Sequence, residues 1–337
     1  MFFKNKLKER AMEKPIDLAT VNKKTPWWKP LLLMLPALII VILFTVIPFL
    51  AAATDAFQAP ADKHKPLERV ASLDQFKFMM RDPAFHDALY NSLMYALISI
   101  PIIMILSLVI SAAVSNVIRK RLRGFWQTLF FLPYVTSAIA IGLAFAYLFD
   151  ADTGLLNKIT GHRVPWLTDP NGHSALGAML IYGVWRGIAF NVLIFTSAML
   201  SVDKKLYKAA SIDGASPIKQ FFSITLPSIS KTTTFLLTMG IIGAIKVFPL
   251  ALFKNDAQAA LDNKGSTLLI YIYAKLQVSH NYMLAGAASV TLLIISIIFS
   301  ASIRGGVSMV VKAITNIREK HVENKIKNST KIKNRKS

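Results

Sequence analysis

The chain has 337 residues, 54% of them hydrophobic and only 17% charged, where a soluble domain carries about 25% charged residues. Its formal net charge is +21 and it has no cysteine, which excludes disulfides, thiol nucleophiles and cysteine-based metal sites. The basic residues cluster at the ends of apolar runs rather than on one foldable face, so the charge reads as membrane topology and not as a nucleic-acid surface.

Six runs are long enough to cross a bilayer, which takes roughly 20 residues. They are 31–53, 89–117, 124–149, 174–200, 226–252 and 283–303. The first is too long for a signal-peptide core and no small-residue cleavage site stands out, so it is read as an uncleaved span. Pro36, Pro48, Pro101, Pro133 and Pro249 fall inside spans, where neighbours re-satisfy the backbone groups that a proline frees. The loop after span one contains FKFMMRDPAFHDALY. At about 35 residues it is too short for a separate domain, and Phe76, Met79, Met80 and Phe85 are expected to form an interfacial apolar face.

The expected organisation is a tail at 1–30, an all-α domain of six transmembrane helices at 31–303, and a basic tail at 304–337. Of the 39 Lys and Arg, 27 fall on the side of the two tails and 10 on the other, with Arg186 and Lys246 inside spans. The positive-inside rule then puts both termini in the cytoplasm of a multi-pass protein of the cell membrane. The last stretch, HVENKIKNSTKIKNRKS, reads as a solvated, disordered tail, with anionic membrane lipid as its alternative resting place.

Between spans four and five, on the cytoplasmic side, lies LYKAASIDGASPIKQFFSITLP. Its spacing predicts two short helices. Val202, Leu206, Ala209 and Ala210 make an apolar stripe on the first, and Asp203 near its start suits the helix dipole. Asp213-Gly214 ends it, with the glycine in the left-handed conformation. Ser216-Pro217 supplies an N-cap and a proline at N1, and Ile218, Phe221 and Phe222 share one side of the second helix. On the residues alone, a helix pair lying on lipid, a plain connector and a docking surface all remain open. An exposed aromatic pair on a structured loop points to a protein partner.

AASIDGASPIKQFFSITLP resembles the EAA loop of inner-membrane permease subunits of binding-protein-dependent ABC importers, nearest to the sugar-type branch of the maltose-system and glycerol-phosphate-system subunits. SLDQFKFMMRDPAFHDALYNSL, RGFWQTLFFLPY, LFDADTGLLNKI, PWLTDP and VWRGIAFNVLIFTSAML resemble that branch in the same order, so the likeness runs from about residue 30 to about 305. It implies a type I importer permease fold and a coupling loop at 203–227 that seats in a cytoplasmic ATPase. Ala209, Ala210, Asp213, Gly214, Ala215, Ile224, Leu226 and Pro227 match the motif, and Phe221 and Phe222 would add apolar contact. It further implies a second homologous permease, two ATPase subunits and an extracytoplasmic solute-binding protein as partners. The sequence departs from the family twice. Lys208 stands where the family has glutamate, and KNDAQAALDNKGST replaces an asparagine-glycine-glycine-proline element in the outer loop after span five.

Chemistry of other kinds is absent from the sequence. No phosphate-binding loop occurs, Lys264-Gly265-Ser266-Thr267 merely shuffling its letters. The six histidines are scattered and none has metal-helix spacing, nor is there a serine nucleophile elbow. No cofactor and no catalysis is therefore expected. The two charges inside spans face a wet interior by default, although Lys246, nearer the end of its span, equally suits snorkelling to an interface. With Trp185, Phe190, Asn191 and Ser289, Arg186 and Lys246 are the candidate lining of a solute path, because sugars are held by planar hydrogen-bonding groups and aromatic faces. Residues 244–247 align with a polar, sugar-lining stretch of the maltose-type subunit. Asn191 and Ser289 equally suit helix–helix hydrogen bonds, and Gly183 and Gly187 read as close helix packing. The expected function is a permease for a carbohydrate. The rivals are a permease for peptides or for an anionic solute, and an intramembrane enzyme.

Overall fold

The computed structural model describes residues 28–62, 65–303 and 305–306. The tails assigned to 1–30 and 304–337 lie almost wholly outside them. The chain falls into two compact units, Met1–Ala51 and Ala52–Ser337. The described part of the first belongs to helix α1 (Trp28–Ala56), which is 29 residues long and long enough to span. A π-helical turn at Ile42–Val46 interrupts it, the Ile47 N–H donating to the Ile42 carbonyl. That turn comes just before Pro48, which has no N–H and clashes with the carbonyl one α-turn back, and the wider turn accommodates it.

The second unit begins with a two-stranded antiparallel hairpin, β1 (Gln58–Asp62) and β2 (Lys65–Ala71), which the all-α expectation did not contain. Helix α2 (Asp74–Arg81) follows. Met79 and Phe85 are each 1% exposed and belong to the main apolar core. The interfacial face expected of them is therefore not formed. They are core residues, and only Met80 of the four lies open, with Phe76 partly covered against the same core.

Helix α3 (Pro83–Ser115) runs for 33 residues. The single span expected at 124–149 is instead a bent pair, α4 (Lys120–Val135) and α5 (Ala138–Leu148), which meet at 89°. Pro133 removes a backbone donor near the break. Ser137 starts the new helix by accepting from the Ala140 N–H, and the Tyr182 hydroxyl donates to the Ala138 carbonyl at 3.2 Å. After the short helix α6 (Leu155–Thr160), α7 (Ser174–Leu200) packs along α3. A Cβ at Gly183 would strike the Tyr95 ring, and one at Gly187 would strike Ile103. The glycines at that spacing thus bring α7 against α3, as their pattern led us to expect.

The loop helices α8 (Lys204–Ile212) and α9 (Pro217–Gln220) come next, followed by α10 (Ser230–Ile245). The chain unwinds at Lys246–Pro249 and resumes as a 3-10 turn at Leu250–Phe253. The Val247 carbonyl, freed by the unwinding, accepts from the Thr267 hydroxyl at 2.8 Å. Helices α11 (Ala257–Asp262) and α12 (Leu268–Gln277) then lead to α13 (Tyr282–Ile303). Among the described residues, five helices are long and apolar enough to cross a membrane, or six if the bent pair is one span. The loop 254–267, where the sequence departs from the family, is pinned to α3. The Asn91 amide donates to the carbonyls of Lys264 and Ser266, and the Ser92 hydroxyl accepts from the Leu268 N–H.

Candidate functional site

Three features of the second unit bear on function. The first is a cavity of about 730 Å³ walled by α3, α7 and α10, the α4–α5 break and the unwound stretch after α10. Each helix contributes one face at helical spacing. On α7 it is Tyr182, Gly183, Arg186, Gly187, Phe190 and Asn191, and on α10 Gly240, Gly243 and Ala244 belong to it. The wall is mostly apolar and aromatic, the Tyr134 and Phe190 rings lying 5.2 Å apart. Irregular backbone is tolerated at membrane depth where it lines such a cavity, which is where Val247, Phe248 and Pro249 lie.

Of the six residues singled out in the sequence as a solute path, Arg186, Phe190 and Asn191 line this cavity. Trp185, Lys246 and Ser289 are not among its lining residues. Trp185 packs its ring 5.3 Å from Phe145. Lys246 is exposed at the C-terminal cap of α10. The Ser289 hydroxyl donates to the Ala285 carbonyl one turn back in its own helix. Sequence reasoning missed Asn255, which reaches the cavity from a left-handed backbone with φ 63. Asparagine tolerates that conformation better than most residues. It also missed the Gly240 and Gly243 pair, at whose Cβ positions the space is open. Two glycines three apart in an otherwise apolar span were the available signal.

The second feature is the loop between α7 and α10. Asp203 caps α8, its carboxylate accepting from the Lys205 N–H, and Gly214 takes φ +73. Ser216 caps α9 with Pro217 at its first position. The Gly214 turn and the Ser216-Pro217 start are read from the sequence, whereas Asp203 is read there only as a charge suited to the helix dipole. Two ties hold the helices together. The Gln220 amide donates to the Ser211 hydroxyl and the Ala215 carbonyl, and the Tyr207 and Thr225 hydroxyls are 2.7 Å apart. A π turn at Phe221–Thr225 follows, again just ahead of a proline, Pro227. The apolar faces differ from the expected stripe. Val202 and Phe221 turn inward onto Phe195, Met199, Ile229 and Leu236, while Leu206, Ile212, Ile218 and Phe222 stand exposed. Lys208, Ala209, Asp213, Gly214 and Pro227 are also exposed, and Ala210, Ala215 and Leu226 are half-buried.

The third feature was not anticipated. Asp82 caps α3 by accepting from the Ala84 N–H, and it also accepts from the Tyr271 hydroxyl and the Lys275 ammonium, each at 2.9 Å. It thereby ties the start of α3 to α12. Partial burial raises its carboxyl, but Lys275 and Tyr271 outweigh that and hold it below the usual carboxylate range. Asp82-Pro83 carries the same cap-then-proline signature as Ser216-Pro217, so the sign was present in the sequence.

A long-spanning helical bundle around a cavity, with a structured helix pair on the chain between two spans, defines a membrane transport component. The chain belongs to the family described as binding-protein-dependent transport system inner membrane component, which it matches over residues 78–312. It is accordingly a multi-pass membrane permease of the ABC transporter class, and the family is one of transport components, not of enzymes. A probable ABC transporter permease protein of Mycoplasma genitalium is 43% identical, over 96% of this chain and 99% of that protein. An sn-glycerol-3-phosphate transport system permease protein of Pectobacterium atrosepticum is 29% identical, over 72% of this chain and 81% of its own. The crystal structure of a bacterial ABC transporter that imports the acidic polysaccharide alginate shares the fold, with a TM-score of 0.65 at 22% identity, over 81% of this chain and 92% of that one.

Proposed function

We propose that this chain is the translocation-path subunit of an importer for a carbohydrate or carbohydrate-like solute, driven by a separate ATPase through the loop at 203–227. The observation that carries the proposal is the pairing of an inward-anchored, outward-exposed helix pair with a cavity on the same spans. Phe221 and Val202 fix the loop to α7 and α10, while Leu206, Ile212, Ile218 and Phe222 are left open for a partner. Movement imposed on the exposed side is then transmitted to helices that wall the cavity. The wall itself suits a polyhydroxylated solute, with tyrosine and phenylalanine rings to stack on and the amides of Asn191 and Asn255 to hydrogen-bond.

In this reading a second homologous permease completes the path, two ATPase subunits sit beneath, and an extracytoplasmic binding protein delivers the solute. Both termini face the cytoplasm. ATP binding draws the loops together and turns the spans outward, and hydrolysis lets the solute go inward. The permease contributes different affinities in its two states rather than covalent chemistry. Because the chain has no cysteine, one introduced at Phe222 or Ala209 is unique. In the assembled complex it is expected to crosslink to the ATPase subunit. Failure to crosslink in a complex that still takes up solute would overturn the docking role.

A further inference from the structure

Arg186 is the thirteenth of the 27 residues of α7. At a rise of 1.5 Å per residue it stands roughly 20 Å from either helix end, so its charge cannot snorkel to an interface. Among the described residues it is the only charged one lining the cavity, and no Asp or Glu lines it. Among the same residues the guanidinium has no ion pair and no hydrogen bond, and the side-chain amides of Asn191 and Asn255 have no hydrogen bond either. An arginine at mid-span with no counter-ion in its own subunit takes one from the cavity contents or from the subunit that completes the path, and its place on the cavity wall favours the contents.

We infer that the solute carries an anionic group, a phosphate or a carboxylate, which the Arg186 guanidinium binds as its counter-ion. The planar fork matches two oxygens of either group. The asparagine amides and aromatic rings take the polyol part. This inference deepens the carbohydrate reading and rests on it.

The test uses the complete importer in proteoliposomes, with ATPase stimulation and uptake as readouts. The probes are matched pairs: glycerol and glycerol phosphate, glucose and glucose 6-phosphate, galactose and galacturonate. For at least one pair the acid is expected to act at a concentration about tenfold or more below its neutral partner, since a site built around a charged group discriminates strongly against its absence. Arg186→Gln should erase that preference and Arg186→Lys should keep most of it. A neutral member acting as well as its acid would overturn the anion while leaving the permease reading intact. So would a preference that survives Arg186→Gln. Equal loss of acid and neutral uptake in Arg186→Gln, with no loss in preference, would show that Arg186 pairs with the second permease, and also overturns the proposal. Response to peptides alone would overturn the carbohydrate reading and this inference together.

Discussion

Asp82 shows how much one side chain can hold. It satisfies the opening backbone of α3 and fixes a tyrosine and a lysine of α12. Asp82→Ala removes a cap and takes the carboxylate partner from the partly buried Lys275 ammonium and from the hydroxyl of the buried Tyr271, and should cost about 1–3 kcal/mol, read as a fall in melting temperature of the purified protein. Its titration has a defined sign. A carboxyl held below its unfolded value near 3.9 contributes stability above that value and loses it as pH falls through the lower, folded value. Melts taken downward from pH 6 should show that acid-side loss in the wild type, and Asp82→Asn should lack it. The glycines give a second contrast. Gly183→Val forces Tyr95 aside and should destabilise by about 1–3 kcal/mol. At Gly243, where space is open, Gly243→Leu should leave the melting temperature close to that of the wild type yet obstruct uptake.

At the scale of elements, the sequence was most legible where local rules decide. The cap at Ser216 and the left-handed Gly214 follow from side-chain chemistry within a few residues and both are present, while Asp203, read as a charge suited to the helix dipole, is also the cap of its helix. The span at 174–200 was bounded correctly because helix length and hydropathy agree there. The bend at residues 136–137 was not legible. Hydropathy continues across it, and the break is satisfied by the Thr136 hydroxyl on the Leu132 and Pro133 carbonyls, by the Ser137 cap and by the tertiary bond from Tyr182 to the Ala138 carbonyl. Met79 and Phe85 were misassigned for a related reason, since apolar periodicity cannot tell lipid from protein as the buried neighbour. Gly214→Pro is the sharpest test of the loop. Proline fixes φ near −65° where the chain needs +73. Hydrolysis should then run without uptake while the protein still inserts in the membrane, and normal uptake would count against the coupling role.

Over the whole molecule, family and span arrangement could be read from pattern, whereas the cavity could not, because its wall gathers residues from 95 to 255. Arg186 was visible as a misplaced charge, but Asn255 became a lining residue only through the turn after α10. The charge asymmetry gives the topology prediction. A single cysteine placed in the C-terminal tail should react with a membrane-impermeant maleimide only after the membrane is opened. Labelling from outside in intact cells would reverse the orientation.

The π turn at Phe221–Thr225 carries a final consequence. One extra residue in a helical turn swings the preceding stretch by about 100° relative to the helix beyond it. Deleting Ser223 would leave all the apolar side chains of the loop in place and rotate them to a new compass heading against α10. Such a variant would keep the chemistry of the contact and lose only its azimuth. It separates a coupling that needs a given surface from one that needs that surface to point in a given direction.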